Sequence, residues 1–167
     1  MDDFIKNFER TEFSDYLHGI LGRSLVVATR FDKMCTFLYK AIEIHSTLIE
    51  KNSEDNFEKM NDFLKKHVSL GNSIKLLGLP DDITSTLYKA KDSRNEIVHS
   101  LPNTIAIGED LTDQGLFIEE TKKLVSDVVE GDIIISILTC AHNNSPLPVK
   151  DFLDKYKDSV LSWVIEE

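Results

Sequence analysis

Apolar residues recur at helical spacing over most of the chain. From residue 13 to 50, Leu17, Ile20, Leu21, Leu25, Ala28, Phe31, Met34, Cys35, Leu38, Ile42 and Leu48 recur about every 3.6 residues, the mark of an amphipathic helix. The stretch reads as one long helix or two nearly collinear ones. Ser14 is its expected N-cap, and Gly19 and Gly22 are places for a bend or a close crossing. After the polar break Asn52-Ser53-Glu54-Asp55, a second helix carries Phe57, Met60, Phe63, Leu64, His67, Leu70 and Ile74. It stops around Gly78-Leu79-Pro80, a helix-terminating sequence. Asp81-Asp82 opens a third helix with acids at its positive end. Its stripe is Ile83, Leu87, Ala90, Ile97, Val98 and Leu101, ended by Pro102. Arg94 falls on that stripe, one turn from Ala90 and from Val98.

Residues 103–118 differ. Thr104-Ile105-Ala106-Ile107-Gly108 and Gly115-Leu116-Phe117-Ile118 are short, β-branched or aromatic, and flank a polar stretch, which suggests a small β-hairpin. Glu119 to His142 returns to helix, with Gly131 and the Ile133-Ile134-Ile135 run leaving a buried strand open. Asn143 to Pro148 is a loop. The last helix, Val149 to Ile165, is expected to bury Phe152, Tyr156, Val160, Trp163 and Val164. The fold class is therefore all-α, a bundle of about five helices, with room for a hairpin near 104–118. At 167 residues the chain, 1–167, fits a single domain. It shows no internal repeat, low-complexity tract or linker.

Composition supports a globular chain: 41% hydrophobic, 29% charged, with four prolines and seven glycines. The first residues lack a basic-then-apolar leader pattern, and the longest apolar run, Ile133 to Ala141, is far short of a bilayer span. A cytoplasmic location without membrane association is the expectation. Cys35 and Cys140 sit in helical apolar patterns and read as small hydrophobes. The net charge of −10 is uneven: −2 over residues 1–50, zero over 51–100 and −8 over 101–167. An acidic surface repels polyanions, which disfavours broad, nonspecific nucleic-acid coating. Any contact with RNA needs a local basic cleft, and the neutral middle third is where it belongs.

Most chemistry-bearing patterns fail on inspection. Gly71 to Gly78 lacks the Gly-Lys-Ser/Thr ending of a phosphate-binding P-loop. Neither His-Glu-x-x-His nor paired Cys-x-x-Cys occurs, and Cys140 and His142 splay apart on a helix. No metal or cofactor is expected. His18, His45 and His67 are isolated and read as structural. Lys65-Lys66 and Lys122-Lys123 read as solvated helix faces.

What remains is Arg94-Asn95-Glu96-Ile97-Val98-His99, late in the third helix. Asn95 and His99 are i,i+4 neighbours, and Glu96 and His99 are i,i+3 neighbours. Arg94 lies about 140° from His99 around the helix, so one chain does not present the two side by side. A symmetric partner bridges that gap better. Histidine exchanges protons near neutral pH, and arginine offers a planar fork for a phosphate and the charge that builds on it. Asn95 adds a donor and an acceptor. Together they suit cleavage of RNA in which the ribose 2′-hydroxyl attacks the phosphate. The plainer reading is an arginine paired to another helix and a histidine favouring a helix C-terminus.

Arg94-Asn95-x-x-x-His99 in an all-helical chain of this size resembles the HEPN superfamily (higher eukaryotes and prokaryotes nucleotide-binding domains). Its members are helical bundles, often dimeric, with an arginine, a following polar residue and a histidine a few residues on. The resemblance implies a metal-independent endoribonuclease in a toxin–antitoxin or phage-defence system, with RNA as substrate, an antitoxin or other protein partner, and a homodimer. It also implies Arg94, Asn95 and His99 as site residues, to which Glu96 is added here as a neighbour of His99. Other members are catalytically silent dimerisation or ligand-binding modules, and the net charge favours that alternative. In members paired with a nucleotidyltransferase antitoxin a tyrosine stands two residues after the histidine. Here that position is Leu101, which speaks against that pairing.

Overall fold

The computed structural model describes residues 11–50, 55–106 and 114–166, and among them every regular element is helical. Helix α1, Glu12–Glu50, runs unbroken through Gly19 and Gly22, so the single-helix reading holds. Its start lies earlier than Ser14. The Ser14 N–H donates to Thr11 Oγ1 at 3.0 Å and the Thr11 N–H donates to Ser14 Oγ at 2.9 Å. Thr11 is thus the cap, with Ser14 in the reciprocal position usually held by Glu or Gln.

The expected second helix is two. Helix α2, Asp55–Lys65, ends before His67, and α3, Leu70–Leu76, starts after Ser69, whose hydroxyl accepts from the Asn72 N–H. Lys40 of α1 donates from Nζ to the carbonyls of Leu64 and Lys66 at 2.6 and 2.8 Å. These are carbonyls that a helix end leaves without partners. An N-cap serine and a lysine clamp therefore place residues 66–69 in a loop.

Helix α4, Asp81–His99, carries the Arg94 motif and ends at Ser100, whose N–H donates to the Glu96 carbonyl at 2.8 Å. Pro102 sits in the first turn of the short α5, Leu101–Ala106, where its missing N–H costs nothing. Helix α6, Gln114–His142, is continuous through Ile133-Ile134-Ile135, so the strand alternative falls. The hairpin expectation also changes: Thr104–Ala106 belong to α5 and Gly115–Ile118 to α6. Residues 107–113 lie outside the described residues. Leu101 and Phe117 are buried, so tertiary packing outweighs the β-like local composition.

Helix α7 is Lys150–Ile165. Of its expected buried face, Val164 is fully buried and Tyr156 and Val160 are partly so, whereas Phe152 and Trp163 are 60% and 47% exposed. The Arg23 guanidinium of α1 closes the end of α7, donating to the carbonyls of Val164 and Glu166 at 3.0 and 2.9 Å.

The core lies where α6 packs against both α1 and α4. Phe31, Cys35 and Leu38 of α1 meet Leu87, Ala90 and Ile97 of α4 and Val125, Val128, Val129 and Ile135 of α6. Gly131 makes the close approach possible. A Cβ there would lie 2.5 Å from Ala90 Cβ and 2.8 Å from Phe31 Cε2. This crossing fixes the face that α4 turns toward α1, and with it the position of Arg94.

Candidate functional site

Arg94 leaves the core stripe of α4 and turns toward α1. Its Nη2 donates to Asp32 Oδ2 at 2.8 Å, and its Nη1 donates to Asn95 Oδ1 at 3.1 Å. Its Nε is buried without a hydrogen-bond partner. The guanidinium is held by a carboxylate on one side and an amide on the other, so its direction is set before any ligand arrives. About a fifth of the side chain, 22%, is open to solvent.

That open part faces a cleft of about 370 Å³ lined by Asp32, His67, Ser69, Lys91, Arg94 and Asn95, among others. Four segments build it: α1 supplies Asp32, the loop between α2 and α3 supplies His67, Val68 and Ser69, the start of α3 supplies Leu70 and Gly71, and α4 supplies Lys91, Arg94 and Asn95. Lys91 is one turn before Arg94 and Asn95, which brings all three to one face. Its Nζ pairs with Asp92 at 2.5 Å and lies 5.7 Å from the Tyr88 ring centroid. Two cations, each paired to a carboxylate, thus share one small opening with an imidazole, a hydroxyl and an amide. In a chain of charge −10 such a grouping suits an anionic oxygen ligand.

The structure separates the expected site residues. Arg94 and Asn95 are together in the cleft. His99 is exposed at the last residue of α4 and does not line it, and Glu96 is also exposed. The sequence pattern places His67 on a helix as a structural residue, whereas the structure makes it an exposed loop residue on the cleft. Asp32 gave no signal beyond being a polar residue on α1. The Ser69 cap, with His67 two residues ahead of it, was the one local clue to the loop. Among the described residues no three His, Cys, Asp or Glu side chains gather as a metal-binding group.

A second polar cluster ties α1, α6 and α7 together. Asp132, 1% exposed, accepts from Tyr156 Oη at 2.7 Å and from Arg30 Nε at 3.1 Å, all on Oδ2, while Oδ1 is buried without a partner. Burial and then Asp132 push the Tyr156 hydroxyl up to about 12. Burial works to lower the Arg30 value, but Asp132 outweighs it and the net direction is up. Burial, then Asp32 and Asp132, pushes the Cys35 thiol up. Neighbouring Asp127 is buried as well, accepting from Ser93 Oγ at 3.1 Å and pairing with Lys89 Nζ at 2.7 Å. Apart from Asp132 Oδ1, the hydrogen bonds and ion pairs of this cluster join one helix to another and lock them together. No family model, no curated protein and no solved structure matches the chain.

Proposed function

We propose that the chain is a metal-independent endoribonuclease of the HEPN type, acting as a symmetric homodimer. The observation that carries this reading is Arg94 and Asn95 side by side in a cleft, with the guanidinium oriented by Asp32. Arg94 stabilises the charge that builds on the pentavalent phosphorus, and Asn95 positions the phosphate. His99 takes the proton from the ribose 2′-hydroxyl. Attack then leaves a 2′,3′-cyclic phosphate and a free 5′-hydroxyl.

His99 points away from its own Arg94, about 140° around the helix. The site is therefore composite: Arg94 and Asn95 from one protomer face His99 of the partner subunit across a two-fold axis. Glu96, one turn before His99, orients its imidazole. A toxin–antitoxin or phage-defence setting, with an antitoxin as protein partner, is what the resemblance implies.

The test is incubation of purified protein with labelled single-stranded RNA in EDTA. Cleavage to cyclic-phosphate ends is expected, with a loss of about 10²–10⁴-fold for His99→Ala and a similar loss for Arg94→Ala. Arg94→Lys rescues little, because an ammonium lacks the planar fork. Cleavage that EDTA abolishes and Mg²⁺ restores overturns the metal-free mechanism.

Two observations favour the second reading, a catalytically silent dimerisation module. Asp32 neutralises Arg94 in the cleft. A larger apolar groove of about 670 Å³ also opens beside α1, with Phe37 and Leu64 exposed in it. Under that reading the wild type cleaves no RNA and Phe37→Ser disrupts dimers.

A further inference from the structure

We propose that His67 is a catalytic residue of the same cleft: the general acid that protonates the departing 5′-oxygen. This assignment rests on the ribonuclease reading above and adds the group which that reading lacks. Cleavage by 2′-hydroxyl attack needs two proton transfers. The O2′–P bond forms as the 2′-hydroxyl loses its proton, and the P–O5′ bond breaks as the leaving oxygen gains one. A single histidine on α4 supplies only the first.

The cleft holds the second. His67 lies in the loop between α2 and α3 and is the one histidine lining the opening that holds Arg94 and Asn95. Its loop is anchored on both sides. Lys40 Nζ of α1 holds the Lys66 carbonyl at 2.8 Å before it, and Ser69 caps α3 after it. The charged groups around that opening are Asp32 on α1 and Lys91 and Arg94 on α4, with Asp92 paired to Lys91, and Lys66 is adjacent in the loop. Arg94 and Lys91 attract the phosphate, and Asp32 keeps the pocket from being wholly cationic. In the reaction His67 gives its proton to O5′ while His99 of the partner subunit receives the one from O2′. Both histidines then return to their starting states by exchange with water.

The experiment compares full-length wild type with His67→Ala and His67→Gln on two substrates in EDTA, over pH. One substrate is RNA with a 5′-alkoxide leaving group. The other is uridine 3′-(p-nitrophenyl phosphate), whose phenoxide departs without protonation. Helicity by circular dichroism confirms that the variants fold. The expected result is a loss of roughly 10²-fold or more on RNA for both variants. The p-nitrophenyl ester keeps most of its rate, and the descending alkaline limb of the RNA profile disappears.

Wild-type-like cleavage of RNA by the variants overturns the assignment and leaves the ribonuclease reading standing. An equal loss on both substrates with an unchanged pH profile overturns it in favour of a positioning role. A wild type that cleaves neither substrate removes the ribonuclease reading, and the assignment falls with it.

Discussion

Asp32 on α1 and Arg94 on α4, 62 positions apart, meet through a 2.8 Å contact between Oδ2 and Nη2. The two side chains are 25% and 22% exposed, so water screens the pair only in part. The contact aims the guanidinium into the cleft, and it also cancels part of the charge a phosphate would feel. Asp32→Asn separates the effects, because its amide oxygen can still accept from Nη2. RNA binding is expected to strengthen by up to roughly tenfold, about 1.4 kcal/mol, with a steeper salt dependence. Folding stability should fall by about 1–2 kcal/mol, between the surface and buried limits for ion pairs. Fluorescence anisotropy with labelled RNA at two salt concentrations checks the first effect, and weaker binding contradicts it.

Gly131 and Gly22 make a matched pair of helical glycines with opposite surroundings. A Cβ at Gly131 lands 2.5 Å from Ala90 Cβ, whereas one at Gly22 meets nothing within 4 Å. Gly131→Ala is expected to cost about 1–3 kcal/mol by prising α6 from α4 and α1. Gly22→Ala should stabilise by roughly 0.5–1 kcal/mol through helix propensity and the unfolded chain. Urea titrations of both variants read the difference, and a destabilised Gly22→Ala contradicts it.

Much of this arrangement was legible in the pattern of apolar positions. The α1 and α4 stripes gave Phe31, Cys35, Leu38, Leu87, Ala90 and Ile97 of the core, because 3.6-residue periodicity reports burial, whereas Val125, Val128 and Val129 of α6 were not legible in this way. The hairpin near 104–118 was misleading: β-branched residues at Thr104 and Ile105 and the aromatic Phe117 are helical here. Phe152 and Trp163 misled in the other direction, since a stripe marks a helix face but not whether a neighbour covers all of it. The site was half legible. Arg94 and Asn95 stand out by residue type, but Asp32 and His67 reach the cleft only through tertiary packing and a loop that a serine cap creates.

Tyr156 reports the buried cluster through alkaline pH. Its hydroxyl is pushed up to about 12 by burial and by Asp132, against about 10 in an unfolded chain. The neutral phenol is thus favoured in the folded state. Its stabilising contribution is full below about pH 10 and is lost as the pH rises toward 12. Thermal melts over that window should show the wild type losing stability more steeply than Tyr156→Phe. At neutral pH Tyr156→Phe should itself cost about 1–3 kcal/mol, because Asp132 loses its 2.7 Å donor. Parallel pH curves for the two proteins contradict this account.

The two cysteines should differ in reactivity. Cys35 is buried with its thiol pushed up, while Cys140 is partly exposed. The thiolate is the reacting form, so iodoacetamide should label Cys140 in the folded protein and Cys35 only in denaturant. Mass spectrometry after a short labelling pulse distinguishes them, and equal labelling of both in buffer contradicts the packing described for α1.

The proposed composite site joins Arg94 of one protomer to His99 of its partner. Mixing inactive Arg94→Ala and His99→Ala proteins under conditions that exchange subunits tests it most directly. A heterodimer then holds one intact site and one doubly damaged site. Since half the dimers are mixed, the account expects metal-free RNA cleavage to return to about a quarter of the wild-type rate. A mixture as inactive as its two components, with subunit exchange verified, contradicts it.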